Sequence, residues 1–225
     1  MNKDFYINIK DDREAGGSSS FFKEKVKFLI SESQSNNKIL DVGCNDGYIG
    51  ELLLKNHNDM YGLDIVEKKL QLAKKKGLKV KLCDIEHQEL PFPKNYFDIV
   101  ILGDMIEHVF DTDRLLIKCK KVLKSGGKLL ISTPNVSSLG RRIMLLLGKN
   151  PFLEYSTYLL SSGLPPVGHV RYYTKQDLSY QLKKHGFQRI SIQGDEINLI
   201  FFQTRLFRSL LPTFCKALLA TAYKK

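Results

Sequence analysis

The chain of 225 residues has no tryptophan, four cysteines, and no apolar run approaching the ~18 residues that a membrane-spanning helix requires. Cys44, Cys83, Cys119 and Cys215 are scattered without a C-x-x-C pair, so neither a zinc site nor a disulfide framework organises the fold. Reduced thiols in a cytoplasmic setting are the expectation. The opening Met1-Asn2-Lys3-Asp4 agrees, because it lacks the apolar centre of a signal peptide. Internal repeats and low-complexity tracts are missing too. So is the dinucleotide fingerprint G-x-G-x-x-G: started at Gly43, it would need glycines where Asn45 and Tyr48 stand. Asp46 would also meet a diphosphate at a helix start, where anions otherwise bind well. An NAD site is disfavoured.

What is present begins with Ile39-Leu40-Asp41-Val42-Gly43-Cys44-Asn45-Asp46-Gly47-Tyr48-Ile49, an apolar run that ends in a turn of small residues and opens into a helical pattern. A second apolar run, Met60-Tyr61-Gly62-Leu63, ends on Asp64. Strand, small-residue turn, helix, strand and acid describe a nucleoside site on a parallel sheet, the acid gripping ribose hydroxyls. Asparagine tolerates left-handed backbone better than other non-glycine residues, so Gly43-x-Asn45-x-Gly47 can still form the tight turn. A ligand carrying sulfonium and ammonium groups suits the acids Asp41 and Asp46.

The segment resembles motif I, D-x-G-x-G-x-G, of the class I S-adenosylmethionine (SAM) dependent methyltransferases, with Asn45 in place of the middle glycine. Ordered similarities follow at Gly62-Leu63-Asp64-Ile65, at Cys83-Asp84-Ile85, from Phe97 to Asp104, at Ile106-Glu107-His108-Val109, and from Val122 to Leu129. The resemblance covers about residues 36 to 195. It implies a doubly wound, Rossmann-like α/β fold with a mostly parallel seven-stranded sheet, one antiparallel strand, helices on both faces and a helical lid insertion. It also implies SAM as cofactor, with S-adenosylhomocysteine as product.

The apolar content of 43% supports one substantial core. Residues 1–36 read as an N-terminal arm and helix, and 37–225 as the methyltransferase domain with insertions at about 134–170 and 197–214. Strands are expected at 38–43, 59–64, 78–83, 97–103, 128–133, 187–194 and 217–224. A helix at about 111–124 places Leu115, Cys119, Val122 and Leu123 on one stripe with its lysines opposite; Thr174 and Asp177 form a variant capping box for another. The insertions hold Leu139 to Leu147, Pro165-Pro166, and Ile197 to Phe214, apolar stretches with Arg141, Arg142, Arg205 and Arg208 interspersed. Packed on each other they make a lid; turned outward they make a greasy acceptor pocket or a peripheral membrane contact.

Net charge is +11. The lysines at 68–69, 74–76, 120–121 and 183–184 fall where surface helices expose them, and no aromatic ladder interleaves them as a single-strand binding platform would want. Nucleic acid is not favoured as a partner. Oligomeric state is not legible.

By the resemblance, Asp64 and Ile65 meet the ribose, Asp41 reaches the methionine ammonium, and Gly43, Cys44, Asn45 and Gly47 supply close backbone. Asp84 and Ile85 clamp the adenine, while Gly103 and Asp104 pass beside the methionyl part. Glu107, His108 and His169 face the acceptor, with His108 the candidate base toward a hydroxyl. Asp104-x-x-Glu107-His108 also resembles the E-x-x-E-H pattern of two metal-dependent branches, the ubiquinone-biosynthesis O-methyltransferases and the small-RNA 3′-terminal 2′-O-methyltransferases. His169 would then be a fourth ligand to a divalent ion, the weaker of two readings. In the other, His169, Arg171 and Tyr172 line a metal-free pocket. The expected activity is methyl transfer to a small-molecule, lipid-linked or glycan-type acceptor, with an RNA 2′-O-methyltransferase or a non-catalytic SAM-binding module as rivals.

Overall fold

The computed structural model describes residues 20–152, 168–199, 202–204 and 211–225. Seven strands form one sheet: β1 (Lys38–Val42), β2 (Asp59–Asp64), β3 (Lys79–Leu82), β4 (Phe97–Gly103), β5 (Leu123–Pro134), β6 (Phe187–Gly194) and β9 (Ala217–Lys224). Their spatial order is β3-β2-β1-β4-β5-β9-β6. All neighbours are parallel except β9, which runs antiparallel to both β5 and β6. This is the arrangement that the resemblance implies.

Burial explains why those runs are continuous rather than alternating. Leu40, Val42, Val100, Leu102, Leu129, Ile131, Leu218 and Ala220 point into one apolar cluster, with Leu115, Cys119 and Val122 of α4 (Thr112–Val122) and Leu178 and Leu182 of α6 (Lys175–Lys184). Their neighbours Ile39, Ile99, Ile101, Leu130 and Leu219 point the other way, onto Phe28 and Leu29 of α1 (Ser20–Ser33), Leu53 of α2 (Tyr48–Leu54) and Leu70 of α3 (Glu67–Lys75). A strand covered on both faces has no solvent side to mark with polar residues.

Local signals set the ends of several elements. Lys74 and Lys75 sit in the last turn of α3, against the negative end of the helix dipole, and Gly77 follows at φ 98. The Thr174 and Asp177 side chains each accept from the other's backbone N–H, so the capping box forms with Asp in place of Glu.

Three expectations need correction. β5 starts at Leu123 rather than 128, because Gly126-Gly127 is a bulge inside the strand, where pairing with β4 slips between Phe97 and Ile99. A Cβ on Gly127 would stand 2.9 Å from the Lys124 carbonyl oxygen and 3.0 Å from that of Asp98, so the bulge demands glycine. The lysines of α4 do not all face solvent: Lys118 is 2% exposed and its Nζ donates to the Ile85 carbonyl at 2.6 Å. Asp46 does not face the cleft as a naked charge, since Lys76 Nζ meets it at 2.6 Å.

Of the insertions, α5 (Leu139–Leu146) has no buried residue, and Leu145, Leu146 and Leu147 are exposed. A short hairpin, β7 (Ile197–Leu199) with β8 (Phe202–Thr204), was not anticipated. The Arg142 guanidinium lies 4.8 Å from the Phe214 ring centroid, which ties the two insertions together. Residues 1–19, 153–167, 200–201 and 205–210, and with them Pro165, Pro166, Phe201, Arg205, Leu206, Phe207, Arg208 and Leu210, lie outside the described residues. Among the described residues no helix is long and apolar enough to cross a membrane.

The helix before β1 is part of the core: Leu29 is fully buried beneath the sheet. Leu29→Ala should lower stability by about 2–5 kcal/mol through lost contacts and an unfilled cavity. The check is urea denaturation, where the midpoint should fall at constant slope. An unchanged midpoint would mean that α1 does not stabilise the domain.

Candidate active site

The C-terminal ends of β1, β2 and β4 and the loop after β3 meet on one edge of the sheet, where ligands bind in open α/β folds. The turn after β1 is built from left-handed backbone: Gly43, Asn45 and Gly47 have φ of 79°, 51° and 78°. A Cβ at Gly43 would stand 2.6 Å from Met105 Sδ, and one at Gly47 would stand 2.7 Å from Ala73 Cβ. Asn45 occupies the middle left-handed position, which asparagine adopts more readily than other residues with side chains, and this accounts for its standing in place of glycine. The Cys44 side chain turns inward, its Sγ 2.6 Å from where a Cβ on Gly62 would stand. Only backbone from Cys44 faces the turn; the buried thiol is pushed well above its ordinary range, first by burial and then by Asp41 and Asp64.

Asp64 locks this turn to β2. Its Oδ2 accepts from Asn45 N–H and its Oδ1 from Val66 N–H, each at 2.9 Å. Burial raises its pKa, and hydrogen bonds from Val66, Asn45 and Ile65 backbone oppose the rise. Asp41 lies beside it, 5% exposed, and its carboxyl is pushed up to about 7, first by burial and then by the charge of Asp64. Two desolvated acids side by side, Asp64 held by backbone N–H groups and Asp41 next to it, form a cleft that favours a cation.

After β3 the chain turns at Asp84. Its Oδ1 accepts from Glu86 N–H at 3.0 Å, its Oδ2 meets His87 Nδ1 at 3.0 Å, and its own N–H donates to Gln88 Oε1. The carboxylate thus serves as the cap of its own loop. Burial pushes its pKa up, but the His87 and Glu86 hydrogen bonds outweigh that and hold it below the usual range. Ile85 is buried, with its carbonyl held by Lys118.

Beyond β4 the backbone at Asp104 is left-handed, φ 51°, with its N–H bonded to Ser132. Lys25 of α1 donates to Asp104 Oδ2, and Ser132 Oγ donates to Oδ1 at 2.8 Å. Burial works against ionisation here, yet Lys25 and Ser132 prevail and keep Asp104 charged. Gly103 is under no steric demand from the protein, since a Cβ there would meet only Ile101 at 3.8 Å.

Glu107 is 1% exposed; Thr133 Oγ1 donates to its Oε2 at 2.9 Å, while Oε1 is buried without a hydrogen bond. Burial and then the Asp104 charge push its pKa well up. Its backbone carbonyl accepts from Val170 and Arg171 N–H, which draws the distant His169 segment to the end of β4. The His108 and His169 rings stand edge to face at 4.8 Å between centroids. His108 Nδ1 lies 3.3 Å from the Gly168 carbonyl, and its pKa falls to about 4 through burial and then through His169. Ligand atoms of Glu107, His108 and His169 lie within 4.8 Å of one another. Asp104, first in the expected metal set, is outside this group and bound to Lys25.

Residues 40–131 match the family model described as a methyltransferase domain. The ubiquinone biosynthesis O-methyltransferase of Bordetella avium is 27% identical over 176 residues, 76% of this chain and 70% of that protein. The enzyme of the same name from Acinetobacter baylyi is 30% identical over 107 residues, 45% of each chain. In fold, a SAM-dependent methyltransferase from Thermotoga maritima superimposes with a TM-score of 0.65 at 17% identity, covering 91% of this chain and 89% of that one. The methyltransferase-domain match and the methyltransferase relatives support placing the chain among the class I SAM-dependent methyltransferases.

SAM is accordingly the cofactor of this methyltransferase, and the cleft fits it on its own terms. The left-handed turn puts backbone rather than side chains beside the cleft, and the buried Asp41–Asp64 pair suits a donor bearing positive charge. Sequence reasoning did not single out Lys25, Lys118, Ser132 or Thr133. The serine and threonine carried a usable signal, because they end β5 on the edge where the other motifs lie. Nothing in the sequence tied either lysine to an acid or a carbonyl far along the chain.

Ligand linkage gives a direct check. At about 100 times its dissociation constant, SAM or S-adenosylhomocysteine should stabilise the native chain by roughly 2.7 kcal/mol, visible as a raised melting temperature. NAD should leave that temperature unmoved; a shift with NAD alone would contradict the assignment.

Proposed function

We propose that this methyltransferase moves the SAM methyl group to a hydroxyl of a small-molecule acceptor, including lipid-linked or glycan-type molecules. The observation that carries the reading is the cluster of Glu107, His108 and His169 at the end of β4, beside the methionyl side of the cleft. Its support from relatives is the name ubiquinone biosynthesis O-methyltransferase.

In this reading Asp64 and Ile65 hold the ribose, and Asp84 and Ile85 flank the adenine. The turn Gly43 to Gly47 supplies close backbone, and Asp41 pairs with the ammonium. Gly103 and Asp104 border the methionyl arm. Transfer from a sulfonium is an in-line displacement on an activated carbon, so alignment and exclusion of water supply most of the acceleration. The chain adds a place for the departing proton. With its Nδ1–H directed at the Gly168 carbonyl, His108 presents Nε2 as the acceptor atom, and its depressed pKa keeps the ring neutral at pH 7. A weakly basic imidazole matches acidic hydroxyls, such as phenols, better than alkyl alcohols. Glu107 and His169 orient that ring and the incoming hydroxyl.

A second reading has its own observation. Glu107 Oε1 is buried without a hydrogen bond and faces two imidazoles, a donor set that suits a divalent ion. Such an ion would supply polarisation of the acceptor hydroxyl, held by Glu107, His108 and His169.

His108→Ala should leave SAM affinity intact while lowering kcat by about 100-fold or more, the usual span for a lost general base. A normal kcat in that variant would reject the role. Loss of activity on treatment with a chelator, restored by Mg²⁺ or Mn²⁺, would select the second reading over the first.

Affinity for SAM should also depend on pH through Asp41. Its raised pKa means that a proton competes with the ammonium below about 7, so binding weakens as pH falls, by up to about tenfold per unit. Titration calorimetry between pH 5.5 and 8 should show this slope in the native chain. The slope should flatten in Asp41→Asn, and a native profile without slope would remove Asp41 from ammonium recognition.

A further inference from the structure

The helix α4 carries a cation into the interior. Lys118 is 2% exposed, and its ammonium donates to a neutral group, the Ile85 carbonyl, at 2.6 Å. Among the described residues it forms no ion pair. The acids near it are engaged elsewhere: Glu89 with Lys121 at 2.9 Å, and Glu86 with the Phe110 N–H at 2.6 Å. Burial and then the charge of Arg114 push the Lys118 pKa down. A buried charge with so little compensation costs stability, so packing alone does not account for this lysine.

What Lys118 grips is one end of a single peptide unit. The carbonyl of that unit belongs to Ile85 and its N–H to Glu86, and the N–H donates to Asp84 Oδ1 at 3.0 Å. One rigid plane therefore runs from the lysine to the carboxylate. A charge at its carbonyl end also polarises the plane and strengthens donation at the other end. Asp84 keeps capacity for a ligand, because each carboxylate oxygen accepts more than one hydrogen bond. The loop itself has other anchors, since Cys83 N–H bonds the Asp64 carbonyl at 3.0 Å and Glu86 and Glu89 hold their own partners. Lys118 adds aim to a loop that is already held in place.

We propose that Lys118 is a positioning residue of the base pocket: by gripping the Ile85 carbonyl it aims the Asp84 carboxylate at the exocyclic amine of adenine, and so sets the preference of this methyltransferase for an adenine nucleoside. The assignment rests on the reading that Asp84 and Ile85 flank the adenine. It goes beyond that reading in tracing base selection to a buried cation on a neighbouring helix.

The test is calorimetric and uses the full chain with two probes. One is S-adenosylhomocysteine. The other is S-inosylhomocysteine, in which a carbonyl oxygen replaces the exocyclic amine. The native chain should prefer the first by about tenfold or more, as expected when a charge-assisted bond is lost and an acceptor is turned on a carboxylate. Lys118→Met should cut that preference by about fivefold or more. Lys118→Gln, one atom too short to reach the carbonyl, carries the same expectation and serves if the methionine variant does not fold. In an Asp84→Ala background, Lys118→Met should change S-adenosylhomocysteine affinity by no more than about twofold, because the two residues act in series. An undiminished preference in a folded Lys118 variant overturns the proposal. So does an equal loss of affinity with and without Asp84, which would show a lysine that only supports the fold. A native chain that binds both probes alike would instead refute the reading of Asp84, and the role of Lys118 falls with it.

Discussion

The whole arrangement depends on a five-residue turn that L-amino acids with side chains resist. Between β1 and α2 the backbone is left-handed at Gly43, Asn45 and Gly47, while Met105 and Ala73 press close enough to forbid a Cβ at the two glycines. Because the turn is so tight, Asn45 N–H reaches Asp64 Oδ2 on the neighbouring strand. That one bond fixes the acid that ends β2 against the loop that ends β1. The cleft is then narrow, walled by backbone on one side and by carboxylates on the other.

Electrostatics follow from this geometry. Four acids, Asp41, Asp64, Asp104 and Glu107, gather on one edge of a chain whose net charge is +11. Many of its lysines are exposed on helices, so the global charge says little about the site. What matters locally is which acids are given donors. Asp104 has Lys25 and Ser132 and stays ionised; Glu107 has Thr133 on one oxygen only and holds its proton more tightly. A gradient from a fixed anion to a protonatable one therefore runs from Asp104 toward the two histidines.

Much of the fold was legible in the residues because its strands are sequence-local and doubly covered. β2, β4, β6 and β9 lie where their apolar runs place them, while β5 was read short because a double glycine looks like a turn and serves as a bulge. The turn after β1 was equally legible, since residues 43 to 47 carry their own conformational demand. Lys118 and Lys25 were not. A lysine on an amphipathic helix reads as solvated, and only the tertiary fold reveals that one reaches the Ile85 carbonyl and the other Asp104. At Asp84 the sequence showed the acid but not its loop contacts, in which Glu86 N–H and His87 meet one oxygen each. The meeting of His169 with Glu107 and His108 was suggested by the resemblance alone, because it is made by two backbone hydrogen bonds to the Glu107 carbonyl that no spacing encodes.

The antiparallel β9 lies between β5 and β6, buried along most of its length. It comes after every other strand in the chain, yet the sheet cannot close without it: Lys128 pairs with Tyr223 and Gln188 pairs with the same residue from the other side. During synthesis, the β5 edge and the whole of β6 therefore stay unpaired until β9 has followed them, and open strand edges are the surfaces on which chains pair wrongly.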